Sequence, residues 1–305
     1  MADQRNREIQ VYVGGSLVHR DQPAIPVFDS GFLHGKHVWS SPRLIRGRIF
    51  RLLDHLAKIR HGAELIGFPR IPTDKEFIDA IKLVLRANQM TDGVHVRIIL
   101  TAGTQVTASM NIAAVVGWDG QPSEPRIVII PEYRGAVYNQ SGITLITSQF
   151  RRPDPAYGDQ GIHDNGQNHS SRACSEATAA GATAALLFDA RGHLAEAHAS
   201  HVGVITGGKL VTPTTLCSPP GVTRRVIMEL CKLNGIAAEE GDITADELSA
   251  ADEIFLMGTM SGPVPAITLN GNPIGAGVPG PVTRRISELY GQALNDASQS
   301  YDVFV

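Results

Sequence analysis

The middle of this 305-residue chain contains no lysine: none lies between Lys82 and Lys209. Chemistry that needs a side-chain amine must therefore find it elsewhere. Cysteine is scarce as well. Cys174, Cys217 and Cys231 form an odd set without C-x-x-C spacing, which argues against a disulfide framework or a zinc ribbon and for a reducing compartment, the cytoplasm. No block of basic residues occurs, and 27 Lys+Arg against 30 Asp+Glu leave a net charge of -3, so no nucleic acid or other polyanion is expected as a partner. The polar segment from Met1 to Glu8 lacks an apolar signal core, and no later run is long enough to span a bilayer, so neither export nor a membrane partner is expected.

What is present suits a globular protein that handles small molecules. A hydrophobic content of 43% can bury a sizeable core in two domains or one large α/β unit. The first hairpin is predicted from Ile9 to Val13 and Ser16 to Val18 around Gly14-Gly15, where glycine tolerates the positive φ of the turn. A second pairs Pro42 to Ile45 with Arg48 to Arg51. Apolar periodicity through Leu52, Leu53, Leu56, Ile59 and Leu65 predicts a helix; Thr73-Asp74 caps another through Phe77, Ile78, Ile81, Val84 and Leu85. Strands are expected from Val94 to Thr101 and Met110 to Val116. The turn formers of 117–125 read as a linker between a small α/β domain, residues 1–120, and a larger domain, residues 126–305. In that second half, strands are expected at Arg126 to Ile130, Ile143 to Ser148, Ala184 to Phe188, His201 to Thr206 and Glu253 to Gly258. Helices are expected at Ser171 to Ala180, Gly221 to Leu233, Thr244 to Ala250 and Val282 to Leu294.

Several short motifs follow one another in a fixed order. They are Phe32-Leu33-His34-Gly35-x-x-Val38-Trp39, Arg48-Ile49-Phe50-Arg51-Leu52 with His55-Leu56, Glu176-Ala177-x-x-x-Gly181-Ala182, Gly192-His193-Leu194-Ala195-Glu196, Gly208-Lys209-Leu210-x-Thr212-Pro213, Gly221-Val222-Thr223-Arg224, Gly258-Thr259 and Gly277-x-Pro279-Gly280-Pro281-x-Thr283. Their order and spacing resemble the class IV aminotransferases, the fold-type IV pyridoxal-phosphate enzymes that include branched-chain, D-amino-acid and R-selective amine transaminases. The resemblance covers nearly the whole chain. It implies an α/β two-domain fold with a C-terminal pseudo-barrel, pyridoxal 5′-phosphate or pyridoxamine phosphate as cofactor, a small amine or amino or keto acid as substrate, and a homodimer.

The resemblance also assigns residues. Gly221, Val222 and Thr223 at a helix start, with Gly258 and Thr259, match the phosphate cup, because backbone N–H groups and the helix dipole favour an anion there. Lys58 stands where the family has a phosphate-binding arginine, keeping the charge but losing the planar fork. Glu196 matches the carboxylate that faces the pyridine nitrogen and makes the ring an electron sink. Its plain alternative is a solvated glutamate after a turn. Trp39, His95, Arg97 and Met260 match substrate-side positions, and the arginine fork suits a carboxylate. Arg151-Arg152 reads as a solvated loop pair.

Two departures stand out. Thirteen residues before Glu176, where the resemblance places the catalytic lysine, stands His163. Imidazole can move a proton near neutral pH but cannot form the resting covalent link, so the cofactor is expected to bind noncovalently, with Lys36 as an alternative amine. Beyond Glu196 the family's small residues and asparagine are replaced by Ala197-His198-Ala199-Ser200-His201. Three readings remain open: a lysine-less aminotransferase-like enzyme, a non-catalytic binder of the cofactor or another phosphate ligand, and a histidine- or metal-dependent enzyme built on His163, His169, His198 and His201.

Overall fold

The computed structural model describes residues 3–109 and 115–304. It comprises two compact units: Met1–Gly135 with Ile162–Gly166 and Ala297–Val305, and Ala136–Gly161 with Gln167–Asp296.

The first unit is built on an antiparallel sheet in the order Ser300–Asp302, Arg48–Phe50, Arg43–Ile45, Val94–Thr101, Arg126–Tyr133, Gln10–Val13, Ser16–His19, with His37–Ser40 also paired to Val94–Thr101. Period-two patterning decides which face is dry. Val94, Val96, Ile98 and Leu100 are buried with Leu52, Leu56 and Ile59 of helix Leu52–Ile66 and Phe77, Ile81, Val84 and Leu85 of helix Asp74–Ala87. His95, Arg97 and Ile99 alternate with that set and so belong to the opposite face. Helix Asp74–Ala87 begins with a complete capping box between Thr73 and Glu76, as the Thr73-Asp74 signal implied.

The domain boundary read from composition is displaced. Arg126–Tyr133 does not open the second unit; it pairs with Val94–Thr101 from Val94↔Tyr133 to Thr101↔Arg126. The turn formers of 117–125 make a tight reversal inside the first unit, with Gly120 N donating to Gly117 O and Gly117 N to Gln121 O. Turn chemistry marks a change of direction, and here the chain returns to the sheet it left. Of the strand expected from Met110 to Val116, residues 110–114 lie outside the described residues, and Val116 forms an isolated bridge to Pro122.

The second unit carries a mixed sheet, ordered Leu194–Ala197, Ala184–Phe188, Ile143–Arg151, Gly262–Leu269, Glu253–Gly258, His201–Thr206, Lys209–Pro213, Ala238–Gly241, which forms the expected pseudo-barrel. Ile143–Arg151 runs parallel to both of its neighbours. Leu145, Leu186, Val202, Ile254, Leu256 and Val264 form the core. Helix Asn168–Ala179 packs Ala173 and Ala177 onto Ala185 and Leu187. The start of helix Pro281–Asn295 is held by a distant side chain: the buried Glu253 carboxylate accepts from Val282 N at 3.0 Å and Thr283 N at 2.8 Å. The Gly-Pro motif before Thr283 thus has a structural cause, since a Cβ on Gly280 would fall 2.0 Å from Glu253 Cδ.

Candidate functional site

In the second unit, helix Val222–Leu233 starts from Gly221 in an extended conformation with no side-chain cap on that residue. An uncapped helix start leaves its first N–H groups available to an anion. Arg224, the third residue of this helix, is buried and committed to structure: Nε donates to Thr212 Oγ1 at 3.2 Å, Nη2 to Pro213 O at 2.8 Å and Nη1 to Glu240 Oε1 at 3.0 Å. These bonds fix the helix to strand Lys209–Pro213. Gly258 ends strand Glu253–Gly258, and Thr259 and the buried Met260 follow in the turn to Gly262–Leu269.

Glu196 is no solvated glutamate. It lies on strand Leu194–Ala197, 8% exposed, with Oε1 3.3 Å from Nη1 of Arg152, itself 2% exposed. The expectation of a solvated Arg151-Arg152 pair fails at Arg152. Its Nε donates to Cys217 O at 2.6 Å, and its Nη1 donates to Gln167 Oε1 at 3.1 Å and to His169 Nε2. One guanidinium thus joins the glutamate to the loop before Gly221 and to the start of helix Asn168–Ala179. Burial, and then the Arg152 charge, lower the His169 pKa to about 4, so this imidazole is a neutral acceptor. Sequence reasoning missed Arg152 because its clue is topological. Arg151 pairs with Phe188 at the sheet's inner strands, so the next residue enters the interior.

The histidines of this unit do not converge on a metal. His169 accepts from Arg152, His198 Nδ1 accepts from Ala185 N at 3.2 Å, and the His201 ring lies against Gly221. Among the described residues, no group of three His, Cys, Asp or Glu side chains could hold a metal ion.

In the first unit, the segment Ile162–Gly166 docks on strand His37–Ser40. Trp39 N donates to His163 O at 2.9 Å, Trp39 Nε1 to Asp164 O at 2.8 Å, and Asn165 N to His37 Nε2 at 2.8 Å. His163 returns a bond from Nδ1 to Trp39 O at 3.0 Å, and the two rings lie 3.5 Å apart between centroids. A carbonyl can only accept, so Nδ1 carries a hydrogen. Arg97 stacks on Trp39, its Cζ 3.9 Å from the ring centroid, and donates to Asn165 Oδ1 at 3.1 Å. His95 is 8% exposed, and burial followed by Arg134 and Arg97 lowers its pKa to about 4. Lys36 is half-buried between helix Ser30–His34 and strand His37–Ser40, and Lys58 lies on helix Leu52–Ile66.

The donor set of the second unit fits a phosphorylated pyridine: bare glycine backbone, helix N–H groups and a buried carboxylate. A family model described as Amino-transferase class IV matches residues 41–268. The chain belongs to the class IV aminotransferases. Members of this class use pyridoxal phosphate. The chain is 32% identical over 298 residues to branched-chain-amino-acid aminotransferase-like protein 2 of Arabidopsis thaliana, covering 96% of this chain and 51% of the relative. It thus spans about half the length of that plant protein. It is also 26% identical to the branched-chain-amino-acid aminotransferase of Escherichia coli K12, over 92% of this chain and 91% of the relative. Among solved structures, a branched-chain aminotransferase of Thermoproteus uzoniensis with norvaline matches 97% of this chain and 99% of its own, at TM-score 0.87 and 24% identity, a likeness of fold.

Proposed function

We propose that this class IV aminotransferase binds pyridoxal 5′-phosphate, or its pyridoxamine form, noncovalently in the second unit. In this reading it acts on a small amine or amino or keto acid without the usual lysine. The observation that carries the reading is the joint presence, in that unit, of an uncapped glycine-opened helix start and the buried Glu196, in a chain lacking lysine between Lys82 and Lys209. When bound, the cofactor supplies an electron-withdrawing ring that stabilises negative charge at the substrate carbon. Val222 and Thr223 N–H groups, with Thr259, would hold the phosphate, and Lys58 keeps its assignment from the resemblance alone, as the match to the family's phosphate-binding arginine. Glu196, fixed by Arg152, keeps the ring nitrogen protonated. His163, with Nδ1 tied to Trp39 O, offers Nε2 to take and return a proton. The resemblance gives Arg97 the recognition of a carboxylate and matches Trp39, His95 and Met260 to substrate-side positions. The family supports a homodimer, and the cysteine usage a cytoplasmic location.

A second reading, a non-catalytic binder of the cofactor or another phosphate ligand, is favoured by the same missing lysine beside a retained cup. One experiment separates the readings. The protein is incubated with pyridoxal phosphate, dialysed, scanned in the visible, reduced with borohydride and mapped by peptide mass, then assayed with amino donors. A retained band without a labelled lysine, together with turnover, supports the enzyme; the same band without turnover supports the binder. A label on Lys36 or Lys58 points to a relocated covalent link, and a colourless protein removes the cofactor reading.

A further inference from the structure

His198, Ser200 and His201 interrupt the pattern expected after Glu196, and nothing above gives His201 a role. Its place in the second unit is specific. A Cβ built on Gly221 would fall 2.3 Å from both Cδ2 and Nε2 of His201, so the polar edge of the imidazole lies against the bare start of helix Val222–Leu233. Strand pairing puts His201 opposite Met257, the residue before Gly258. Ser200 completes the contact on that side, since a Cβ on Gly258 would lie 3.3 Å from its Oγ. His201 thus stands at the Gly221 turn and its neighbour Ser200 at the Gly258 turn of the proposed phosphate cup.

We infer that His201 is a phosphate-binding residue of this cup, donating Nε2–H to the same anion that the helix start holds. The inference rests on the cofactor reading above. Its physical basis is charge. The N-terminus of a helix carries a partial positive charge, and an imidazole N–H beside it adds to that field. An anion between them would accept from both. Glycine is needed at position 221 for the same reason, since any larger residue would displace the ring.

The test compares pyridoxal 5′-phosphate with pyridoxal, which lacks only the phosphate, in equilibrium binding followed by quenching of tryptophan fluorescence. Wild-type protein is expected to prefer the phosphorylated form and to lose that preference to competing inorganic phosphate. His201→Ala is expected to weaken pyridoxal phosphate binding about 10–100-fold, the range of a hydrogen bond to a charged group, and to leave pyridoxal binding unchanged. His201→Asn, which keeps a side-chain N–H, is expected to recover part of the loss, and melting curves confirm that both variants fold. If the wild-type preference is strong and both variants keep it within twofold, His201 is a packing residue and the inference falls. If the wild type does not distinguish the two ligands, the phosphate cup itself is refuted, and the inference falls with it.

Discussion

Arg152 Nη1 and Glu196 Oε1 form an ion pair 3.3 Å long in which both side chains are withdrawn from water. A buried pair of this kind is worth little compared with an apolar replacement, but removing one partner leaves an uncompensated charge. Arg152→Met is therefore expected to lower the unfolding free energy by about 3–5 kcal/mol. The same change in Glu196→Gln is expected to be smaller, because the amide still accepts a hydrogen bond. Urea denaturation of the two variants beside the wild type checks both; equal, small effects would show that the pair is solvated in solution.

The role proposed for His163 separates binding from turnover. His163→Ala is expected to retain pyridoxal phosphate through dialysis as the wild type does, while amino-donor turnover falls about 10²–10⁴-fold, the usual contribution of a general base. Absorbance after dialysis and single-turnover kinetics provide the two readings. Unchanged turnover would assign the proton transfer to another group.

Acid should weaken the fold through two imidazoles. His95 and His169 each have a folded-state pKa of about 4, below the ordinary value near 6.5, with burial the first cause in both. Between these values the unfolded chain binds a proton that the folded chain does not, so stability is full above pH ~6.5 and is lost as pH falls toward 4. Replacing either histidine by phenylalanine removes its share. The melting-temperature difference between wild type and His95→Phe is expected to move in the variant's favour from pH 7 to pH 4.5, and likewise for His169→Phe. A pH-independent difference would mean that the ring is charged in the folded state.

Gly280→Ala tests the helix start held by Glu253. Gly280 has φ −80° and ψ 164°, ordinary for any residue, so alanine meets no backbone penalty there. The added methyl instead meets Glu253 Cγ and Oε2 at 2.3 Å and must push the carboxylate off Val282 N and Thr283 N. A destabilisation of about 1–3 kcal/mol is expected, and Glu253→Ala should match it, because either change orphans the same buried donors. The double variant should cost little more than either alone. Additive losses would separate the two effects.

Much of the fold was legible because it depends on local signals. Capping at Thr73, the glycine hairpin turn and the 3.6-residue apolar rows each act within a few residues, and the helices and strands they predicted are present within one to three residues of the expected ends. The boundary was not legible, since the turn of 117–125 returns the chain to its own sheet and only the partner strand reveals this. The same holds at the site. Glu196 and the 221–223 turn could be named from motifs, but the burial of Arg152 follows from strand order, and the contact of His201 with Gly221 joins residues twenty positions apart.

The chain passes between the two units four times, and the third and fourth of its five segments are not alike in size: Ile162–Gly166 is five residues long, set between two stretches of the second unit. A chimaera made by joining two relatives at the first crossing, after Gly135, would take Trp39 from one parent and His163 from the other. The indole and the imidazole whose rings lie 3.5 Å apart would then come from different ancestors. Shuffling at that seam would separate partners that pack together, so exchange of strand His37–Ser40 with a relative should succeed only when the five-residue insert travels with the strand it rests on.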